Sequence, residues 1–147
     1  MISSPTERTV LNPSHAAAYL LKEQPVSISP NQSLLPLTSR VNAADHLEVG
    51  GCDVPQLRQQ FGSPLYILDE FTLRAACRQY QQSFQTHYAG ESLVIYASKA
   101  WNCLAVCALV ASEGLGLDVV SGGELHTALK AGVAPETIYL HGNNKSR

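Results

Sequence analysis

The hydrophobic pattern of the chain changes near residue 50, and beyond that point strand-like segments alternate with helix-like ones. Residues 93–97 form a short apolar run rich in β-branched and aromatic side chains, which is typical of a buried strand. From about Asn102 the residues are apolar on nearly every face, which predicts a buried helix ending near Gly114. Further strands are predicted around residues 117–120 and at residues 137–141.

Capping residues mark where some of the predicted helices begin and end. Ser121 and Glu124 form a capping-box pattern that opens a helix closed near Gly132. Upstream, Asp53 is placed to cap a helix that Gly62 closes. The same residues Ser121, Gly122 and Gly123 could instead form an anion-binding nest at a helix start, although we favour the capping role.

A longer helix is predicted after Asp69, and residues 63–69 before it predict a short strand. Apolar residues recur in this helix at spacings of three and four, which predicts one buried face. That face comprises Leu73, Ala76, Cys77, Tyr80, Phe84 and Tyr88.

The alternation of strands and helices with short connections predicts an α/β fold with a parallel sheet covered by helices. A complete eight-stranded barrel of this kind takes about 250 residues, and this chain has 147. We therefore expect the N-terminal portion of a (β/α)8 TIM-like barrel, truncated and preceded by a flexible leader. In this interpretation residues 1–45 are the polar leader and residues 46–147 the incomplete barrel domain.

The leader is predicted from composition, because residues 1–45 are rich in Ser, Pro, Asn and Gln, with five prolines spread through them. Regular structure is expected to begin near Cys52. The formal net charge of −2 argues against nucleic acid as a partner. The apolar run at residues 93–110 approaches the length of a membrane span, but the lysine near its middle would be costly in lipid, so we expect no membrane segment.

The four cysteines, Cys52, Cys77, Cys103 and Cys107, contain no Cys-x-x-Cys pair and no histidine at metal-ligand spacing. They are expected to be free structural thiols, with no metal site. Free thiols are typical of a reducing compartment, which predicts a cytoplasmic protein. His15, His46, His87 and His126 have no other functional residue types around them and are expected at the surface.

Lys99 is the one charged residue in the apolar run that leads from the strand at residues 93–97 into the next helix. A buried lysine there would have a lowered pKa, as Schiff-base chemistry with a carbonyl cofactor requires. A lysine in such a run can also pack its stem and keep its ammonium in water. Its position favours the chemical role, because the carboxyl ends of parallel strands carry the chemistry of these folds.

Four segments in order resemble the diaminopimelate decarboxylases, a family of the alanine-racemase-like (fold-type III) pyridoxal-phosphate enzymes. They are Tyr-Ala-Ser-Lys-Ala at residues 96–100, Asp-Val-Val-Ser-Gly-Gly-Glu-Leu at residues 118–125, Ala-Leu-Lys-Ala-Gly at residues 128–132 and His-Gly-Asn-Asn-Lys-Ser at residues 141–146. The resemblance covers roughly residues 50–147. The first segment indicates only the wider group of enzymes, and the second narrows it to this family.

The resemblance implies that Lys99 is the catalytic residue that holds pyridoxal 5'-phosphate as a Schiff base. Asp118 matches an acidic position near that lysine and would help to bind the cofactor, although it could equally be a local cap at a strand end. The implied reaction decarboxylates meso-2,6-diaminopimelate, an amino-acid substrate, to L-lysine and CO2 in lysine biosynthesis. A homodimer is implied for the full-length enzyme. His141 could be mistaken for the histidine that stacks on the cofactor ring, but in the family that histidine lies later in the chain.

The family's phosphate-binding glycines, ring-stacking histidine, substrate-binding residues and C-terminal β-domain have no counterpart in this sequence. We therefore expect the 147-residue piece to be inactive by itself. Two alternatives remain open: a related decarboxylase acting on ornithine, lysine or arginine, and a non-catalytic pyridoxal-phosphate carrier barrel.

Overall fold

The computed structural model describes residues 31–142 and Lys145, and the chain divides into two units after Asp69. The first unit contains an antiparallel sheet in the order β1–β2–β3, followed by a helix. Its elements are a 3-10 helix at Gln32–Leu34, β1 at Arg40–Val41, β2 at Leu47–Val49, β3 at Cys52–Asp53 and α1 at Val54–Phe61.

The carboxylate of Asp53 joins the sheet of the first unit to α1. It accepts a hydrogen bond from the Gln56 N–H at 2.9 Å and another from Asn42 Nδ2 at 2.8 Å. His46 Nδ1 lies 2.8 Å from the same carboxylate. The Gln56 N–H contributes most to lowering the pKa of Asp53. The predicted capping role of Asp53 is confirmed, whereas the expectation of an isolated His46 is wrong.

Two other predictions for this unit are wrong. Regular structure begins before Cys52, because β1 starts at Arg40, inside the span assigned to the leader. Strands of two or three residues are too short to show a clear alternation in sequence. Residues 63–69 form no strand, since no strand among the described residues pairs with them. The predicted leader residues 1–30 and His15 lie outside the described residues.

The second unit is a three-stranded parallel sheet with helices in the connections, as the sequence predicts. Strand β5 lies between β4 and β6, with Leu117 paired to Tyr96 on one side and to Ile138 on the other. Its elements are α2 at Glu70–His87, β4 at Ile95–Ala97, α3 at Leu104–Ser112, β5 at Gly116–Val119, α4 at Gly122–Lys130 and β6 at Ile138–Leu140, with 3-10 helices at Ser98–Ala100 and Pro135–Thr137.

The core of this unit lies on one face of the sheet. Leu117 and Val119 of β5 are fully buried there, together with Val106, Cys107 and Val110 of α3. Because side chains alternate across a strand, the residues between them point to the opposite face. We call this second face the open face; among the described residues it carries Ile95, Ala97, Gly116, Asp118 and Tyr139.

Several burial predictions are wrong, because parts of the sheet and of the helices are left uncovered by the described elements. Strand β4 is not buried on both sides, since Ile95 is 42% exposed. Helix α3 has an exposed side that includes Leu104. In α2, Cys77 is buried and Leu73 half-buried as predicted, but the later part of the stripe is exposed at Tyr80, Phe84 and Tyr88. The described helices cover one face of the sheet, so apolar residues pointing elsewhere stay in contact with solvent.

Glu113, at the end of α3, is held by two arginines of α2. Arg74 Nη1 lies 2.6 Å from Glu113 Oε1, and Arg78 Nε lies 2.7 Å from Oε2. Gln81 Nε2 also donates to the Glu113 carbonyl oxygen at 2.7 Å. The hydrogen bonds from Arg78 and Arg74 lower the pKa of the Glu113 carboxyl to about 2. This cluster fixes the end of α3 against α2.

None of the helices in the described part of the chain is both long and apolar enough to cross a membrane.

Gly116 is a site where the backbone of β5 leaves no room for a side chain. A Cβ atom there would lie 2.6 Å from the Thr137 carbonyl oxygen and 2.9 Å from Ile95 Cγ2. Gly116→Ala should therefore lower the free energy of unfolding by about 1–3 kcal/mol, measured by urea denaturation. The control is Gly123→Ala in α4, where the nearest atom to the new Cβ is 3.9 Å away. Equal stability of both variants would contradict the crowding argument.

The Glu113 cluster predicts a pH dependence of stability. The pKa of this carboxyl falls from an ordinary 4.5 to about 2 on folding, so its contribution is present above pH 4.5 and is lost as the pH falls towards 2. Glu113→Gln should therefore unfold more easily than the wild type at pH 6, and the difference should shrink towards pH 2.

The measurement is urea denaturation at several pH values. Glu91→Gln is the matched control, because Glu91 is exposed and forms no ion pair within the part of the chain that the structure describes. A difference between wild type and Glu113→Gln that stays constant with pH would contradict the assignment.

Candidate active site

The carboxyl ends of β4, β5 and β6 meet at one edge of the parallel sheet. Most of the candidate functional residues lie at this edge. The segment with Lys99 follows β4, the turn at Val120 and Ser121 follows β5, and His141 follows β6. In parallel α/β folds such an edge collects reactive side chains from segments that are far apart in sequence. We therefore take this edge as the candidate active site.

Lys99 lies on the short 3-10 helix Ser98–Ala100 directly after β4, and its side chain is exposed. The expectation of a buried ammonium is thus wrong for the described residues. The neighbouring Ser98 takes the buried position instead, with no exposed surface. This places the Lys99 amine within reach of a small molecule approaching the strand ends.

Asp118 lies on the open face, between Ala97 of β4 and Tyr139 of β6 in the strand register. Its side chain is 18% exposed, and its Oδ1 lies 2.7 Å from His141 Nε2. The separation is that of an ion pair, but the two groups lack the alignment of a hydrogen bond. The structure thus gives Asp118 a histidine partner that was not predicted.

Three polar atoms around Lys99 and Asp118 are buried without a hydrogen-bond partner in the described part of the molecule: Ser98 Oγ, Asn102 Nδ2 and Asp118 Oδ1. Buried polar atoms are normally paired, so unpaired ones call for an explanation such as a binding site. Ser98 and Asn102 flank Lys99 in sequence.

The turn after β5 is occupied by a helix cap. Ser121 Oγ accepts a hydrogen bond from the Glu124 N–H at 3.2 Å, and Glu124 Oε2 accepts one from the Val120 N–H at 2.6 Å. The serine oxygen and the glutamate are therefore both engaged in starting α4. These bonds favour the capping role over an anion-binding nest.

All four cysteines are free, as predicted. Burial raises the pKa of the Cys77 and Cys107 thiols, which makes them poor nucleophiles. No group of three or more histidine, cysteine or acidic residues among those described could hold a metal ion. Lys99 is consequently the strongest candidate for a nucleophile at this edge.

Comparison with known families decides which class of enzyme carries this edge. Residues 71–147 match the pyridoxal-binding domain of the pyridoxal-dependent decarboxylases. The chain belongs to this family. The match includes all of the parallel sheet and its helices, and it implies pyridoxal phosphate as the cofactor.

Several relatives of this chain are diaminopimelate decarboxylases. This chain is 62% identical to the diaminopimelate decarboxylase of Synechocystis sp. over 86% of this chain and 29% of the relative. The Bacillus subtilis diaminopimelate decarboxylase is 49% identical over 75% of this chain and 25% of its own length. The crystal structure of diaminopimelate decarboxylase from M. jannaschii is 33% identical in sequence to this chain, with a TM-score of 0.68. The match covers 74% of this chain and 26% of the M. jannaschii chain. This chain therefore spans between a quarter and a third of the relatives' length.

The residues at the strand ends fit one end of pyridoxal phosphate. An accessible primary amine is the group that condenses with the cofactor's aldehyde, and the exposed Lys99 is an amine of this kind. Asp118 Oδ1, a buried acceptor without a hydrogen bond among the described residues, can accept one from a bound group. Within the second unit, these residues are chemically compatible with the aldehyde end of the cofactor.

Sequence reasoning missed His141 as a partner of Asp118. The sequence contained a signal for this pair. Asp118 lies in one parallel strand and His141 follows the next strand, so that both can reach the same face of the sheet at its carboxyl edge. Using this signal requires the strand register, which pairs Asp118 with Tyr139 and places His141 two residues further on.

Ser98 provides a test of the buried hydroxyl. Ser98→Ala removes an unpaired hydroxyl from a fully buried position, so the free energy of unfolding of the cofactor-free protein should stay equal or rise by up to about 1 kcal/mol. As a control, Ser112→Ala should lower it by up to about 1 kcal/mol. The Ser112 hydroxyl donates to Leu109 O at 2.6 Å and accepts from Arg74. A clear loss of stability in Ser98→Ala would mean that this hydroxyl is paired.

Proposed function

We propose that this chain is the N-terminal part of a decarboxylase that converts meso-2,6-diaminopimelate to L-lysine and CO2. The names and identities of the relatives support the substrate, since those with 62% and 49% identity are both diaminopimelate decarboxylases. The observation that carries the reaction type is the exposed Lys99 amine at the carboxyl edge of the parallel sheet. It is the nucleophile that a pyridoxal-dependent enzyme needs.

Each site residue then has a defined part in the proposed reaction. The chemistry supplied by bound pyridoxal phosphate is an electron sink, which accepts the electron pair left when the substrate loses its carboxylate. Lys99 would hold the cofactor through Nζ and, when not bound to it, could hold a proton at that atom. Asp118 orients the bound group through its carboxylate on the open face.

Further features of the whole protein belong to the same proposal. The strands β4–β6 would be the first three of a (β/α)8 barrel. The full-length enzyme would act as a homodimer in the cytoplasm, and the 147 residues alone would be inactive. The incomplete barrel is supported by the identity to a much longer relative, because this chain spans 29% of the Synechocystis protein.

A related substrate is the second candidate. The matching family comprises pyridoxal-dependent decarboxylases in general, so decarboxylation of ornithine, lysine or arginine is compatible with the domain itself. The choice between these amino acids requires assays on the complete polypeptide that contains this chain.

The complete polypeptide tests the role of Lys99 directly. Borohydride reduction with pyridoxal phosphate should lock the cofactor onto one lysine, and mass spectrometry of the peptides should locate it at Lys99. Lys99→Ala should lose this label, the visible absorbance of the bound cofactor and the release of CO2 from meso-diaminopimelate. Lys130→Ala is the control, because Lys130 is exposed in the last turn of α4.

Other outcomes would revise the proposal in distinct ways. A label on a different lysine would overturn the assignment of Lys99. Release of CO2 from ornithine, lysine or arginine but not from meso-diaminopimelate would replace the substrate. Covalent labelling without decarboxylation of any of these amino acids would favour a carrier of pyridoxal phosphate.

A further inference from the structure

His141, which contacts Asp118, is a residue of the strand-end edge to which the proposed reaction gives no role. The two residues come from neighbouring parallel strands and lie 23 positions apart in sequence. Their contact of 2.7 Å joins Asp118 Oδ1 and His141 Nε2 at the carboxyl edge of the sheet. The backbone position of His141 and the burial of Asp118 indicate what the histidine does for the carboxylate.

A backbone hydrogen bond fixes the position of His141 next to β5. Its N–H donates a hydrogen bond to the Val119 carbonyl oxygen at 3.1 Å, which continues the β5–β6 ladder one step past Leu140. Side chains alternate along a strand, so His141 leaves on the same face as Tyr139, the open face. From there the imidazole reaches Asp118, the neighbour of Tyr139 in the register. The histidine ring itself is 64% exposed.

The carboxylate of Asp118 is the more constrained partner. Its side chain is only 18% exposed, and its Oδ1 is buried without a hydrogen-bond donor in the described residues. A carboxylate removed from water needs a positive or hydrogen-bonding partner, otherwise it rotates away or takes up a proton. Among the ion pairs of the described residues, the one that involves Asp118 is with His141.

From this geometry we propose that His141 is a positioning residue that holds the Asp118 carboxylate on the open face where the cofactor binds. His141 acts through Asp118 and contacts neither Lys99 nor the cofactor in this role. The inference rests on the proposed cofactor-binding role of Lys99 and Asp118. It predicts that removing the histidine weakens binding of pyridoxal phosphate only as long as Asp118 is present to be held.

A double-mutant cycle on the complete polypeptide tests this dependence. The dissociation constant of pyridoxal phosphate is measured by absorbance titration for wild type, His141→Ala, Asp118→Asn and the double variant. We expect His141→Ala to weaken binding about tenfold, and the double variant to bind within twofold of Asp118→Asn alone, since the two effects are not independent. His141→Gln, which keeps a polar side chain of similar reach beside Asp118, should recover part of the loss.

Two controls separate positioning from general damage to the fold. His126→Ala removes an exposed histidine of α4 and should leave the dissociation constant unchanged. The melting temperature of each cofactor-free variant is measured alongside, because a purely structural role for His141 would lower it without coupling to Asp118. If Asp118→Asn binds too weakly for titration, the cycle is repeated with Asp118→Glu.

The outcomes divide clearly. Independent, multiplicative effects of the two substitutions overturn the role of His141, as does unchanged binding in His141→Ala. Strong coupling with the partial recovery in His141→Gln supports it. Borohydride labelling of the wild type is run in parallel: labelling at a lysine other than Lys99 defeats the proposed function itself, whereas labelling at Lys99 with an uncoupled cycle defeats only this inference.

Discussion

Complete burial of Leu117 and Val119 is the constraint on which the second unit of the structure depends. Strand β5 is the central strand of the sheet, and its two buried side chains must face the helical layer that holds Val106 and Val110. The pleat of the strand then leaves Asp118 no choice of side. Sliding β5 by one residue would bury a carboxylate in the core and expose two large apolar side chains. The hydrophobic effect on one face therefore places the acidic group on the other.

The two helices α2 and α3 are held together by a cluster of polar side chains. Glu113 ends α3, where the negative end of the helix dipole makes a carboxylate unfavourable. Arg74 and Arg78 of α2 compensate by surrounding both carboxylate oxygens, and Gln81 binds the carbonyl of the same residue. An arrangement that is poor for an isolated helix thus becomes a link between two helices. It also fixes where the chain leaves α3 for β5, since Gly114 and Leu115 come next.

The sequence predicted the order of strands and helices in the second unit well, because each signal there is local. The cap at Ser121, the end of α3 near Gly114 and the parallel sheet could all be predicted from spacing and composition. Burial could not, because it depends on which elements cover a residue. Tyr80 and Phe84 have the same helical spacing as Cys77, yet they are exposed because none of the described helices packs on them. The partner of Asp118 required a strand register, which is a property of two strands rather than of one.

The cap that begins α4 has a mechanical consequence. Glu124 lies in the first turn of the helix, and its carboxylate is bonded to the backbone of Val120, while Ser121 binds the helix in the other direction. Two hydrogen bonds therefore join the end of β5 to the start of α4 across the tight turn between them. A displacement of the first turn of α4 must move Val120 as well, and Val120 is only two residues from Asp118. The first turn of the helix is thus linked by two hydrogen bonds to the chain segment that carries the acidic group of the candidate active site.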